Sequence, residues 1–241
     1  MKIALLGYGK MGRMIESIAV SRGHEITARI DGYTENIDFA GADVSIDFSV
    51  PSSAVHHITS SVDAGIPVVS GTTGWTEKMP EVKKLVEEKS GALVYSSNFS
   101  LGVNIFFELN RYLARLIQPY PQYELSISET HHIHKLDAPS GTAITLAEDI
   151  TGENGRYTGW ALETDDIKIN ENTIGITAVR QGEVPGTHTV TYACGVDSIE
   201  ICHTAFSREG FALGAVTAAE WLFREKKKGV FSMRDVLFSK R

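Results

Sequence analysis

The stretch from Glu129 to Ala143 reads Glu-Thr-His-His-Ile-His-Lys-Leu-Asp-Ala-Pro-Ser-Gly-Thr-Ala. Three imidazoles, an ammonium group and a Ser-Gly-Thr run this close together could move protons and hold an anion. Imidazole titrates near neutrality. Pro139 and Ser140 halt an extended segment, so Ser140, Gly141 and Thr142 open a helix and offer unpaired backbone N–H groups at the positive end of its dipole. Lys135 adds a full positive charge. The segment suits a small molecule carrying carboxylate or phosphate, with imidazoles beside it. Two blander readings compete. His132 and His134 would share one face of a continued strand and could bind a metal, although Lys135 opposes a cation and no second carboxylate ligand is evident. Alternatively the histidines are simply solvated.

A second chemical signal lies at the N-terminus, where Lys2 to Leu6 runs into Gly7-Tyr8-Gly9-Lys10-Met11-Gly12. The first glycine permits a tight turn, the second lets backbone approach a pyrophosphate, and the third lets a helix pack on a strand. A second strand, Glu25 to Ile30, ends at Asp31, the place for an acidic group that binds the adenosine ribose hydroxyls. Asp31 favours NAD over NADP because a carboxylate repels a 2′-phosphate, while Arg29 pulls the other way.

Apolar periodicity supplies the elements that must position these groups. After the helix carrying Met14, Ile15, Ile18 and Ala19, strands are expected at Val44 to Phe48, Pro67 to Ser70 and Ala92 to Ser96. Helices are expected at Ser53 to Ala64 and Pro80 to Lys89. Such alternation implies parallel pairing through right-handed crossovers, with ligands beyond the carboxyl ends of the strands. Gly71-Thr72-Thr73-Gly74 and Ser96-Ser97-Asn98-Phe99 fall there, as does Asp47-Phe48-Ser49. Beyond Ser100 the pattern changes. A helix at Val103 to Leu116 precedes a strand at Tyr123 to Ser128, and a helix at Thr142 to Asp149 precedes a polar surface excursion at 151–166. Strands follow at 167–170, Ile174 to Arg180, Thr187 to Ala193 and Ser198 to Thr204. Consecutive strands predict a mainly antiparallel or mixed sheet in a separate α+β layer. Helical periodicity returns at Arg208 to Lys227, and Met233 to Phe238 forms a last short helix. The change of pattern near residue 102 places a ligand cleft between the two halves.

With 241 residues and 42% apolar content, the chain can bury a substantial core. A net charge of −7 argues against a general nucleic-acid or anionic-membrane binder. No 18-residue apolar window occurs and the N-terminal apolar run is too short for a signal peptide, so a cytoplasmic protein is expected. Cys194 and Cys202 flank a hairpin turn and read as reduced thiols. Lys226-Lys227-Lys228 complements the negative end of a helix. An open sheet face predicts self-association.

The run Glu129-x-His131-His132-x-x-Lys135-x-Asp137-Ala138-Pro139-Ser140-Gly141-Thr142-Ala143 resembles the signature of the 4-hydroxy-tetrahydrodipicolinate reductase family, also called dihydrodipicolinate reductases. Agreement extends through Gly71 to Gly74, Asn98-Phe99-Ser100-x-Gly102-Val103-Asn104, Arg180-x-Gly182-x-x-x-Gly186-x-His188 and His203-x-Ala205-x-Ser207-Arg208. The resemblance implies reduction by NADH or NADPH of a dicarboxylate cyclic imine made from pyruvate and aspartate semialdehyde, with loss of water, in diaminopimelate and lysine biosynthesis. It implies a Rossmann-type domain from residues 1–102 and 208–241. A substrate-binding and oligomerisation domain would span 103–207, with homotetramers joined through its sheets. By motif position His131 is the proton donor or acceptor and Lys135 the second acid, and His132, Lys135, Gly141 and Thr142 hold substrate. The cofactor falls to Gly7, Tyr8, Gly9, Lys10, Met11, Gly12, Asp31, Gly71, Thr72, Thr73, Ser96, Ser97, Asn98 and Phe99. No metal is implied. Many relatives carry one more residue in the glycine turn, so the adenosine contacts are where this chain departs. A nucleotide-binding redox sensor or another imine or aldehyde dehydrogenase would share the first half.

Overall fold

The computed structural model describes residues 1–32, 34–164 and 169–238, and the chain divides into two compact units. The first comprises Met1–Leu101 with Glu209–Arg241. Its strands are β1 (Lys2–Leu6), β2 (Glu25–Ile30), β3 (Val44–Asp47), β4 (Val68–Ser70), β5 (Ala92–Tyr95) and, late in the chain, β11 (Gly229–Phe231). They lie in the order β11-β5-β4-β3-β1-β2, every pairing parallel. The chain leaves β1 for β2 on one side and then crosses to β3 on the other, so the carboxyl ends of β1 and β3 form the switch point where doubly wound sheets bind ligands.

Both faces of this sheet are covered. Helices α1 (Lys10–Ser21) and α6 (Glu209–Glu225) bring Ile15, Ala19, Ala212, Ala215 and Ala219 onto Ile3, Leu5 and Val69. On the other side α2 (Pro51–Asp63) and α3 (Met79–Glu88) lay Ala54, Ile58, Val62, Val82 and Val86 on Val68 and Leu93. Each fully buried aliphatic side chain contributes roughly 1.5–3 kcal/mol. Small residues set the approach of α6, because a methyl at Gly214 would lie 1.7 Å from the Phe99 carbonyl oxygen. This is a Rossmann-type fold.

The second unit, Gly102–Arg208, contains α4 (Leu101–Ile117), β6 (Glu124–His131), α5 (Gly141–Glu153), β7 (Gly159–Leu162), β8 (Thr173–Arg180), β9 (Gly186–Ala193) and β10 (Ser198–Ala205). Its sheet runs β10-β9-β6-β8-β7. Phe106, Ala114, Leu146 and Ile150 from the helices cover Ile127, Ile174, Ile176, Val190 and Tyr192 from one face. Along β9 buried and half-exposed residues alternate, the period-2 signature of a sheet covered on one side.

The sheet is mixed, one of the two arrangements that the consecutive strands predicted: β6 pairs antiparallel with β9 and parallel with β8, and β8 is parallel to β7. Helix α5 explains this, because a strand–helix–strand crossover returns the chain parallel. The excursion at 151–166 is partly structured, since α5 continues through Glu153 and Trp160 lies within β7. Of the strand expected at 167–170, residues 167 and 168 lie outside the described residues, and Ile169 and Asn170 are not strand. Past the three lysines, β11 adds an edge to the parallel sheet. Among the described residues no helix is long and apolar enough to cross a membrane.

Candidate active site

In the first unit the glycine turn does what its spacing demands. Gly7 adopts φ +95°, donates its N–H to the Ile30 carbonyl at 2.8 Å, and a methyl on it would meet the Phe48 carbonyl oxygen at 2.3 Å. Gly12 lies against Gly7, where a methyl would sit 2.2 Å from its carbonyl oxygen. At Gly9 nothing lies within 4 Å of such a methyl. The outer two glycines close the turn and the middle one leaves space for a ligand, which fits a dinucleotide pyrophosphate.

Around that space lie two neighbouring pockets sharing Phe48 and Ser49. One adds Gly7, Gly9, Asp31, Gly32, Val50, Ser53 and His57, and the other adds Met11, Pro51, Gly71, Thr72 and Thr73. Thr72 Oγ1 accepts the Ser49 N–H at 2.8 Å, tying the loops after β3 and β4 together. Of the remaining anticipated cofactor residues, Lys10 is exposed at the start of α1, and Tyr8 bonds its hydroxyl to Glu16. Ser96 Oγ bonds Asn98, Ser97 is exposed, and the Phe99 side chain is buried in the core. Sequence reasoning missed His57. It is 1% exposed, its Nδ1 is 2.8 Å from Asp47 Oδ1, and its Nε2 is buried without a partner beside the pocket.

Arg29 is not free for a phosphate. Its Nε donates to Glu16 Oε2 at 3.1 Å, a second nitrogen grips Glu16 Oε1, and its guanidinium lies 5.8 Å from the Tyr8 ring centre. The same hydrogen bonds pull the Glu16 carboxyl below its ordinary range.

In the second unit β6 ends at His131, and the chain turns at once. The Ile133 N–H reaches the Gly182 carbonyl at 3.1 Å, and the Lys135 N–H reaches that of His132 at 3.2 Å. The continued strand that the competing metal reading required, with His132 and His134 on one face, does not form. Their rings stand 5.9 Å apart, and the exposed His134 bonds Glu183 Oε1 at 3.0 Å. Lys135 Nζ donates to both Asp137 oxygens at 2.8 and 2.7 Å. At the start of α5, Ser140 Oγ accepts the Ala143 N–H at 3.3 Å. Gly141 and Thr142 occupy the first turn, whose N–H groups have no intrahelical acceptor. The Ser140 N–H, expected to be free, instead donates to both oxygens of Glu129 at 3.1 and 3.0 Å.

Glu129 is the residue that sequence reasoning left without a role. It is 1% exposed and anchors a buried cluster. Arg180 donates to its Oε1 at 3.2 Å, while Oε2 is 3.7 Å from His131 Nδ1 and 3.6 Å from His188 Nε2. The His131 and His188 rings meet edge to face at 4.9 Å. Glu129, His131 and His188 hold ligand atoms within 4.8 Å of one another, but the Arg180 charge and the Ser140 N–H already engage the carboxylate and oppose a cation. Burial works to raise the Glu129 pKa. The close approach of His188 and the hydrogen bonds from Ser140 outweigh it and hold the carboxyl down at about 2. His131 is pushed down to about 4, first by burial and then by the nearby His188, Lys135 and Arg180, with Glu129 opposing. A buried imidazole, a lysine and open helix N–H groups thus share one short segment, with Arg180 reaching in from β8.

Family models extend the assignment over both units. The model for the dihydrodipicolinate reductase N-terminus matches residues 1–99, and that for the C-terminus matches residues 102–237. The chain is 52% identical over 239 residues to a 4-hydroxy-tetrahydrodipicolinate reductase of Christiangramia forsetii, covering 98% of each. It is 34% identical over 261 residues to that of Archaeoglobus fulgidus, covering 98% of this chain and 100% of the relative. In fold it is similar to a dipicolinate-bound dihydrodipicolinate reductase from Paenisporosarcina sp. TG-14, with a TM-score of 0.78, 22% identity and 99% coverage of both chains. The chain belongs to the 4-hydroxy-tetrahydrodipicolinate reductase family, nicotinamide-dependent oxidoreductases of diaminopimelate and lysine biosynthesis.

Proposed function

We propose that the chain reduces 4-hydroxy-tetrahydrodipicolinate to tetrahydrodipicolinate, with loss of water, using NADH in preference to NADPH. The observation that carries the reading is the arrangement around His131: an imidazole and Lys135 in the segment that leads into the open first turn of α5. The reduced nicotinamide supplies a hydride. The chain's own residues must then hold a dianion and manage a proton. Lys135 and the N–H groups of Gly141 and Thr142 meet the substrate carboxylates, with His132 beside them, and the carboxylates displace Asp137 from Lys135. At pH 7 the His131 imidazole of the free protein is neutral, since its pKa lies at about 4. Carboxylates arriving beside Lys135 and Arg180 offset those cations and favour imidazolium, so binding itself loads the proton. His131 gives that proton up as negative charge develops on the ring, with Lys135 as the second acid.

In the first unit Gly7 to Gly12, Asp31, and Gly71 to Thr73 bind the dinucleotide, with Ser96 to Phe99 completing the site. Asp31 repels a 2′-phosphate, and Arg29 is held by Glu16, which supports NADH as the better cofactor. We place the protein in the cytoplasm as a homotetramer joined through the uncovered face of the mixed sheet, where the half-exposed residues of β9 lie. His131→Gln and Lys135→Ala should each lower kcat by about 10²–10⁴, with NADH affinity by fluorescence titration unchanged. Unchanged turnover in both variants would remove these roles.

A further inference from the structure

We infer that Glu129 is a positioning residue for the reaction: its buried carboxylate fixes the His131 tautomer with the proton on Nδ1, leaving Nε2 as the atom that exchanges protons with substrate. This rests on His131 being the proton carrier. His131 Nδ1 is buried without a hydrogen-bond partner, and the acceptor nearest it in charge and position is Glu129 Oε2 at 3.7 Å. That separation is longer than a hydrogen bond. Catalytic hydrogen bonds in ligand-free enzymes are commonly long and tighten when the substrate complex forms.

The carboxylate is itself held from several directions. The Ser140 N–H donates to both oxygens, Arg180 donates to Oε1, and His188 Nε2 lies 3.6 Å from Oε2 and 3.0 Å from Ser140 Oγ. Glu129 therefore links β6, β8, β9 and the start of α5, the four elements that shape the site. On the other side of the ring Gly186 of β9 keeps Nε2 uncrowded: a methyl there would lie 3.0 Å from that nitrogen. The ring thus has a carboxylate on its Nδ1 side and the space of a missing side chain on its Nε2 side. Among the described residues, His188, Lys135 and Arg180 disfavour imidazolium and Glu129 opposes them, favouring the proton the reaction needs.

Two measurements test this. In the wild-type protein, the imidazole ¹⁵N shifts of His131 at pH 7 should report a protonated Nδ1 and an unprotonated Nε2, and the reverse tautomer would overturn the assignment. In kinetics, Glu129→Gln keeps the size and an acceptor for the Ser140 N–H but removes the charge. It should lower kcat on the order of 10- to 100-fold, as losing a histidine's orienting partner does. It should also move the pH limb of kcat to lower pH and leave NADH affinity within about twofold. Adding Glu129→Gln to His131→Gln should cost nothing further, because both act through one imidazole. A wild-type pH profile in Glu129→Gln, or losses that multiply in the double variant, would show a merely structural carboxylate. Full activity in His131→Gln would instead defeat the underlying reading, so the two failures are distinguishable. If Glu129→Gln does not fold, the ¹⁵N shifts still decide.

Discussion

The two sites are built from opposite materials. The glycine-turn site of the first unit is made largely of backbone and of missing side chains, with Gly9 facing open space and Gly7 and Gly12 packed where no Cβ fits. The His131 site of the second unit is made of side chains drawn from β6, β8, β9 and the start of α5, all meeting at one buried carboxylate. Backbone sites tolerate almost any side chain except at their glycines. A side-chain site fails wherever one charge is lost. The difference suits the proposed division of labour, in which a dinucleotide needs to be held and a reacting ring needs protons and charge delivered to particular atoms.

That contrast can be broken most forcefully at Gly9. With nothing within 4 Å, Gly9→Ala should leave stability within about 0.5 kcal/mol yet raise the NADH Kd by more than about tenfold, because the methyl occupies the space a pyrophosphate needs. Gly7→Ala, forced against the Phe48 carbonyl at φ +95°, should instead lose about 1–3 kcal/mol in urea unfolding. Equal stability losses would mean that the middle glycine is structural too.

The side-chain site should reveal itself through pH. The His131 pKa falls from 6.5 to about 4 on folding, so between those values the unfolded chain binds the extra proton and stability declines as pH falls. Glu129, lowered from 4.5 to about 2, continues the decline below pH 4.5. Above pH 6.5 neither group contributes a slope. Urea midpoints at pH 7.5, 5.5 and 4.5 should therefore drop, and His131→Gln should flatten the first part of that drop, by at most about 3 kcal/mol. A parallel slope in the variant would place the titration elsewhere.

Smaller effects should appear at the adenosine end. Asp31→Asn should shift the NADPH to NADH ratio of kcat/KM toward NADPH by about tenfold, roughly one removed charge repulsion. Glu16→Gln, which loosens Arg29, should move it the same way by only a few-fold, since the arginine retains Tyr8. Ratios unchanged in both would mean that neither group faces the ribose.

The same contrast explains what could be read in advance. Glycine spacing, the strand before it and Asp31 are local, so the candidate nucleotide pockets could be placed from residues 1–31 together with the small-residue loops after β3 and β4. His131, Lys135 and the Ser140 cap are local as well. The partnership of Glu129 with Arg180 and His188 is not. It depends on β6 lying between β8 and β9, and that register places Glu129 opposite both Ala178 and His188. Consecutive strands in sequence suggested neighbours in space, and only the crossover through α5 separates β8 from β9. β3 and β4 are no longer than β7 and β11 but are buried throughout, whereas β7 and β11 are half-buried and each opens on a glycine, so they lack the apolar run that marks the others. β11 also follows three lysines that lie just past the end of α6.

The measurement that tests the account most directly is the oxidation of NADH and of NADPH, run in parallel on the freshly generated condensation product of pyruvate and aspartate semialdehyde. The account predicts rapid loss of both reduced cofactors, with the larger kcat/KM for NADH. No turnover with either, while both bind, would contradict the substrate assignment and leave only the nucleotide site standing.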